Sequence, residues 1–175
     1  MRLILTAAAA LLLSACSDAP DGGDVPPEAD AATPAPAPTE TVTADPHSFA
    51  NVTAVTTTHL VLDLDVDFEA RQLRGSAVHT LDRSEGASQF VVDSRDLTID
   101  AVTDAATGEA LAWTIGDAVE YLGAPLTIGL EGETETVRID YATAPGASGL
   151  QWLEPGQTAG GEHPFLFSQA QAQHA

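Results

Sequence analysis

The run His59-Leu60-Val61-Leu62-Asp63-Leu64-Asp65-Val66-Asp67-Phe68 decides how the rest of the chain is read. Leu60, Leu62, Leu64, Val66 and Phe68 alternate with Val61, Asp63, Asp65 and Asp67. Successive strand side chains point to opposite faces, so this period of two predicts a half-buried β-strand with its carboxylates turned outward. The D-x-D-x-D spacing also looks like a calcium loop. Such a loop needs glycine at its sixth position and a later glutamate, and Phe68 stands at that sixth position. The strand reading is the better one.

The alternation returns at Leu126, Ile128 and Leu130, and again at Val137, Ile139 and Tyr141 with Arg138 and Asp140 on the other face. Leu73 to Leu81, Gln89 to Val92, Leu97 to Val102, Leu111 to Ile115 and Val119 to Leu122 are further strand candidates. Ser84-Glu85-Gly86, Thr107-Gly108-Glu109, Gly123-Ala124-Pro125 and Glu131-Gly132-Glu133 supply turn chemistry between them. No segment of this region sustains a helical period. The connections are too short for crossovers, so neighbouring strands run antiparallel. The expected class is all-β, an antiparallel β-sandwich or saddle-like open sheet.

Ahead of this domain the texture is different. Arg2 is the only charge before an apolar run from Leu3 to Leu13, which Thr6 interrupts. Eleven residues are too few to span a hydrocarbon core, which needs about 20 in a helix. A short basic start, a short apolar core and then small residues describe a secretory signal peptide over residues 1–15. Leu13-Ser14-Ala15-Cys16 resembles the lipobox of bacterial lipoproteins, a resemblance that implies cleavage before Cys16 and a diacylglycerol on its thiol. Cys16 is the one cysteine of the chain, so neither a disulfide framework nor a multi-cysteine metal site can form. Ser17, rather than Asp, follows it; by the sorting habit of enterobacteria this points to the periplasmic face of the outer membrane. More than one acyl chain gives stable anchoring without a membrane span.

Residues 16–46 hold Pro20, Pro26, Pro27, Pro34, Pro36, Pro38 and Pro46 among alanines, threonines and acids. A stretch with so little large apolar surface cannot offset its ordering entropy, and a disordered tether is expected. The β-domain is then expected over residues 47–175. Across the whole chain, 26 acidic residues face 6 basic ones, for a net charge of -20. Nucleic acid and anionic headgroups both require cationic patches, so this balance excludes nucleic acid as a partner. Asn51-Val52-Thr53 fits a glycosylation sequon, but in a bacterial lipoprotein the match is read as chance.

The carboxy-terminal segment is the most specific part: Ala147-Ser148-Gly149-Leu150-Gln151-Trp152-Leu153-Glu154-Pro155-Gly156-Gln157-Thr158-Ala159-Gly160-Gly161-Glu162-His163-Pro164-Phe165-Leu166-Phe167-Ser168-Gln169-Ala170-Gln171-Ala172. Gln169 and Gln171 are two apart, so in extended chain they share a face and together offer amide donors and acceptors. This stretch closely resembles the end of the amino-terminal domain of zinc aminopeptidases of the leukotriene-A(4) hydrolase and aminopeptidase N type. There a similar S-x-L-Q-W-L-x-P-x-Q-T-x-G-x-x-H-P-Y-L-F-S-Q-C-Q-A-x-H run leads towards the active site. Thr58-His59-Leu60 to Phe68 and Asp96-Leu97-Thr98-Ile99 resemble the same domain more loosely.

The resemblance implies a modular zinc metalloaminopeptidase that removes amino-terminal residues from peptides, and the lipobox at Cys16 adds the expectation that it is membrane-anchored. In that family a separate thermolysin-like domain binds zinc through H-E-x-x-H and a downstream Glu. Carried over by position, Gln169, Ala170 and Gln171 are the substrate contacts, on the peptide backbone. Phe165 stands where the family has Tyr, Ala170 where it has Cys, and the polar Gln173 where it has an apolar residue. No H-E-x-x-H occurs here; Glu162 precedes His163, and Pro164 obstructs a helix at that point. The expectation is therefore a fragment without catalytic or metal-ligating residues of its own, inactive alone and presenting an apolar flank to the missing domain. Zinc would belong to the full-length enzyme. Two other readings stand beside this one: a free-standing, non-catalytic β-sandwich lipoprotein that binds peptides or proteins, and a carbohydrate-binding sandwich. The last expects an exposed aromatic row, which a 5% aromatic content hardly supplies.

Overall fold

Two of the alternating runs found in the sequence become interior strands of two different sheets. The computed structural model describes the backbone of Arg2–Leu5 and residues 45–169. Its elements are β1 (Arg2–Leu5), β2 (Val55–Asp67), β3 (Gln72–Arg83), β4 (Gln89–Ser94), β5 (Leu97–Asp104) and β6 (Trp113–Ile115). They continue as β7 (Ala124–Gly129), β8 (Thr136–Thr143), β9 (Leu150–Leu153), a short 3-10 turn at Pro155–Gln157 and β10 (Phe165–Ser168). Cys16 and the linker up to Ala44 lie outside the described residues, as do Ala170 and Gln171. No α-helix occurs among the described residues, hence none long and apolar enough to cross a membrane.

A five-stranded sheet runs in the order β1-β2-β3-β8-β5, a three-stranded sheet β4-β7-β6, and β9 and β10 form a hairpin. Every pairing is antiparallel. The all-β, antiparallel class read from the sequence is the observed one. β7 shows the alternation most cleanly: Ala124, Leu126 and Ile128 are buried while Pro125, Thr127 and Gly129 are half-buried. Leu126 and Ile128 are 1% and 0% exposed, and they pack with Phe90 against Leu81, Val102, Val137 and Ile139 of the large sheet. Burial of such side chains stabilises by about 1.5–3 kcal/mol each, so this layer between the sheets carries most of the fold.

The β2 run is a strand, as its period predicts, but it lies shallower than its leucines suggest. Leu60 is 46% exposed, and Leu62, Leu64 and Val66 are only half-buried. The reason is position: β2 lies towards one side of the large sheet, whereas the buried cluster centres on β3, β8 and β7. Asp65 and Asp67 are exposed as expected. Asp67 Oδ1 accepts the backbone N–H groups of Glu69 (2.9 Å) and Ala70 (2.8 Å), so this carboxylate builds the β2–β3 turn.

The strand expected over Val119–Leu122 does not form. Val119 N donates to Gly123 O at 2.6 Å, and Leu122 N and Gly123 N both donate back to Val119 O, which closes a tight loop. Gly123 takes φ +84 there, and a Cβ would crowd the Ser94 carbonyl and Arg95. Val119 and Leu122, four residues and one residue before the turn glycine, are folded into the turn itself. Gly75 matters for a different reason: a Cβ on it would overlap the Asp63 carbonyl oxygen across the β2–β3 ladder.

Candidate functional site at the carboxy-terminal hairpin

The segment singled out in the sequence folds as a self-bracing hairpin. Phe165 pairs with Leu153, Leu166 with Trp152, Phe167 with Gln151 and Ser168 with Leu150. Glu154 and Gln157 form a reciprocal capping pair around the 3-10 turn, with Glu154 N donating to Gln157 Oε1 at 2.9 Å. Thr158 Oγ1 lies 2.8 Å from the carbonyl oxygens of both Pro155 and His163, which ties down the glycine-rich stretch between the strands.

Two side-chain contacts fasten the hairpin to the rest of the domain. Phe68, just past β2, stands edge-on to Trp152. Arg71 Nη2 donates to Glu154 Oε1 at 2.5 Å, with both side chains more than half exposed; such a pair contributes at most about 1 kcal/mol. Arg71 itself holds φ +52 at the end of the β2–β3 turn. Trp152 Nε1 is buried and has no acceptor among the described residues.

Beyond β10, Gln169 N donates to Gly149 O at 2.9 Å, so the chain is held in extended form up to the first glutamine. The Gln169 side chain is exposed, as are Phe165 at 53% and Phe167 at 47%. In extended chain these three fall on one face. The hairpin therefore presents two phenyl rings and an amide outward, while Leu166 and Trp152 occupy the opposite face. Ala170 and Gln171, the other two residues singled out, fall beyond the described ones.

At the base of the hairpin lies a cavity of about 170 Å³, lined by Leu73, Asp93, Arg95, Leu97, Leu122, Tyr141, Thr143, Ala147, Ser148 and Leu150. Its polar groups are largely committed to structure. Asp93 accepts from Ser48 Oγ at 2.6 Å and Phe49 N at 2.8 Å, and Thr143 Oγ1 accepts from Leu73 N. Arg95 Nη1 donates to Tyr121 O at 3.0 Å. Burial pushes the Tyr141 phenol upward, which keeps it neutral.

Residues in the described part do not fit a zinc ion: no group of three His, Cys, Asp or Glu side chains comes close enough to hold one. Glu162 and His163 lie exposed in the loop before β10. Buried Asp104 is spoken for as well. Burial alone would raise its carboxyl pKa, but the backbone N–H groups of Ala106 and Thr107 and the Thr134 hydroxyl outweigh that and hold it low. Sequence reasoning missed the fastening of the hairpin through Phe68, Trp152 and Arg71. A lone aromatic ending the alternating run was the available signal.

No family model matches the chain. Curated relatives do. A leucine aminopeptidase 2 of Phaeosphaeria nodorum is 36% identical over 137 residues, 75% of this chain and 22% of that protein. A leukotriene A-4 hydrolase of Xenopus laevis is 39% identical over 136 residues, 74% of this chain and 22% of that protein. Yeast leukotriene A4 hydrolase, solved in complex with bestatin, superimposes with a TM-score of 0.68 at 28% identity, covering 78% of this chain and 22% of that one. The chain thus spans between a fifth and a quarter of the length of the relatives it matches. Over that span the fold matches the amino-terminal β domain of leukotriene A4 hydrolase.

Proposed function

We propose that this chain is the amino-terminal, substrate-contacting β domain of a membrane-anchored zinc metalloaminopeptidase of the leukotriene A4 hydrolase type, which releases amino-terminal residues from peptides. The observation that carries this reading is sequence identity of 36–39% across three quarters of the chain to a leucine aminopeptidase and a leukotriene A-4 hydrolase. The exposed Phe165, Phe167 and Gln169 face supports it, because two uncovered phenyl rings beside an amide suit a surface meant to meet another domain.

In this reading the hairpin sets Gln169, Ala170 and Gln171 along the backbone of a bound peptide. Amides serve there because one side chain can accept from a peptide N–H and donate to a peptide carbonyl. The zinc, and the water it activates, belong in this reading to a separate catalytic domain. The β domain contributes recognition and shape. Alone it has no hydrolytic activity.

Cys16, lipidated after removal of residues 1–15, would hold the enzyme on the periplasmic face of the outer membrane, with the proline-rich stretch as a spacer. Labelled palmitate should enter the full chain expressed in a bacterial host, and Cys16→Ser should abolish the label.

The reading frame after Ala175 tests the enzyme directly. An in-frame H-E-x-x-H, and leucine p-nitroanilide hydrolysis by the complete product that a zinc chelator abolishes, are the expected results. A stop codon at this point in several genomes, with a stable monomer that binds peptides without cleaving them, would establish the non-catalytic lipoprotein instead.

A further inference from the structure

The small sheet ends on a bare strand. In the order β4-β7-β6, Trp113, Thr114 and Ile115 of β6 are all exposed. Gly129 N donates to Ala112 O and Gly116 N to Pro125 O, which fixes the phase of the β6–β7 ladder. Hydrogen bonding alternates along an antiparallel strand, so Thr114 turns its backbone groups to β7. The N–H and C=O groups of Trp113 and Ile115 therefore face the open edge.

The side chains of these two residues are uncovered as well. Trp113 lies opposite Ile128 and Ile115 opposite Leu126, and directly opposed residues share a face. Ile128 and Leu126 are 0% and 1% exposed, whereas Trp113 and Ile115 are 36% and 45% exposed. The apolar face that fills the space between the sheets runs on, uncovered, across β6.

Other edges are guarded. Asn51 Nδ2 donates to Gln89 O at 2.8 Å and Asn51 Oδ1 accepts from Val91 N at 2.9 Å, which fills the edge of β4. Leu111 N donates to Val102 O and Asp104 N to Glu109 O, so the segment after β5 folds back over that strand's edge. β2 carries Asp63, Asp65 and Asp67, and edge charges discourage strand addition. β6 has neither charge nor proline. What fits it is an uncharged, apolar strand, and β6 is itself such a strand. Laid antiparallel about a two-fold axis through Thr114, two copies set Trp113 of each against Ile115 of the other. An aromatic residue opposite a β-branched one is a favourable cross-strand pair, and the symmetry forms it twice.

We propose that β6 is a self-pairing edge through which two copies of this chain form a symmetric dimer, joining their three-stranded sheets into one continuous sheet. Each copy supplies the apolar cover that Trp113 and Ile115 of the other lack. A net charge of -20 on each chain opposes the association, so the dimer tightens as salt screens it. The inference rests on the register of β6 against β7 and stands apart from the peptidase reading.

The test uses the full chain in a Cys16→Ser background, which removes its only thiol. Sedimentation equilibrium should show a concentration-dependent dimer, about tenfold tighter in about 1 M salt than in about 0.1 M. Ile115→Pro removes only an outward N–H and spares the β7 ladder; it should weaken the dimer at least tenfold with unchanged circular dichroism. Thr114→Cys is the second variant. The two-fold axis brings its thiols into a non-hydrogen-bonded pair with Cα atoms about 4.5 Å apart, within disulfide range. Mild oxidation should cross-link this variant but not Thr98→Cys, at an exposed position on β5. A monomer at every concentration, equal cross-linking of the two cysteine variants, or a dimer indifferent to Ile115→Pro would each overturn the proposal. So would protection of the Trp113 and Ile115 amides in a chain that stays monomeric, which would mean a different occupant.

Discussion

The ring of Phe68 meets the indole of Trp152 edge-on, with centroids 5.7 Å apart and an interplanar angle of 88°. This arrangement places the positive edge of one ring against the negative face of the other. It joins the end of β2 to the carboxy-terminal hairpin, so the hairpin's position depends on a residue more than eighty positions earlier in the chain.

Phe68→Ala should therefore loosen the hairpin before it weakens the sheets. Phe68 is part-exposed, so the cost is about 1–2 kcal/mol, below the roughly 3–5 kcal/mol of a fully buried phenylalanine. Hydrogen exchange at the Leu166 and Phe167 amides should accelerate while that of Leu126 and Ile128 stays put. Uniform acceleration, or none, would contradict the coupling.

Gly75→Ala should be costly and Gly108→Ala mild. A Cβ at Gly75 overlaps the Asp63 carbonyl oxygen, so the β2–β3 ladder must part, at about 3 kcal/mol. Gly108 takes φ +78 but has open space around it, leaving only the left-handed backbone penalty of about 1–2 kcal/mol. Urea unfolding of the two variants decides the order.

Stability should fall as pH drops below about 6.5, because of His79. Its ring lies 5.2 Å from that of Phe90 and its Nδ1 is 3.1 Å from Thr57 Oγ1, between the sheets. Burial lowers its pKa. The unfolded chain thus takes up this proton at a higher pH than the folded one. The histidine's contribution is fully present above the unfolded value and is lost as pH falls towards the folded one. Thermal midpoints at pH 7.5 and 5.5 should differ, and His79→Gln should shrink the difference. A variant with the same pH slope would exclude His79.

In the complete enzyme, Gln171→Ala should lower kcat/KM on peptides about two- to tenfold, the equivalent of one hydrogen bond at about 0.5–1.5 kcal/mol. Circular dichroism should be unchanged. Unaltered kinetics on several peptides would remove Gln171 from the substrate contacts.

Much of the fold was legible because period-two alternation is a local property. Leu126 and Ile128 could be placed inside without knowing their partners, and the short connections implied antiparallel order. Depth was not legible. Leu60 carries as clear a pattern as Ile128, yet it lies towards the side of its sheet because burial depends on which strands cover it, and that is a long-range outcome. Val119 to Leu122 failed for the converse reason, since turn closure by Gly123 outweighed apolar content. At the hairpin, the motif pointed to Gln169 but gave no hint that Phe68 and Arg71, remote in sequence, hold the segment in place.

The pairing of β9 with β10 also sets a rule of parity for any relative of this chain. Gln169 is counted off from the Ser168–Leu150 pair and pinned by its own backbone bond to Gly149. One residue gained or lost between Phe165 and Gln169 would swing the amide to the side now held by Leu166, whereas two would return it to the same side. Drift in length here should therefore occur in even steps, or be confined to the glycine-rich stretch before Pro164.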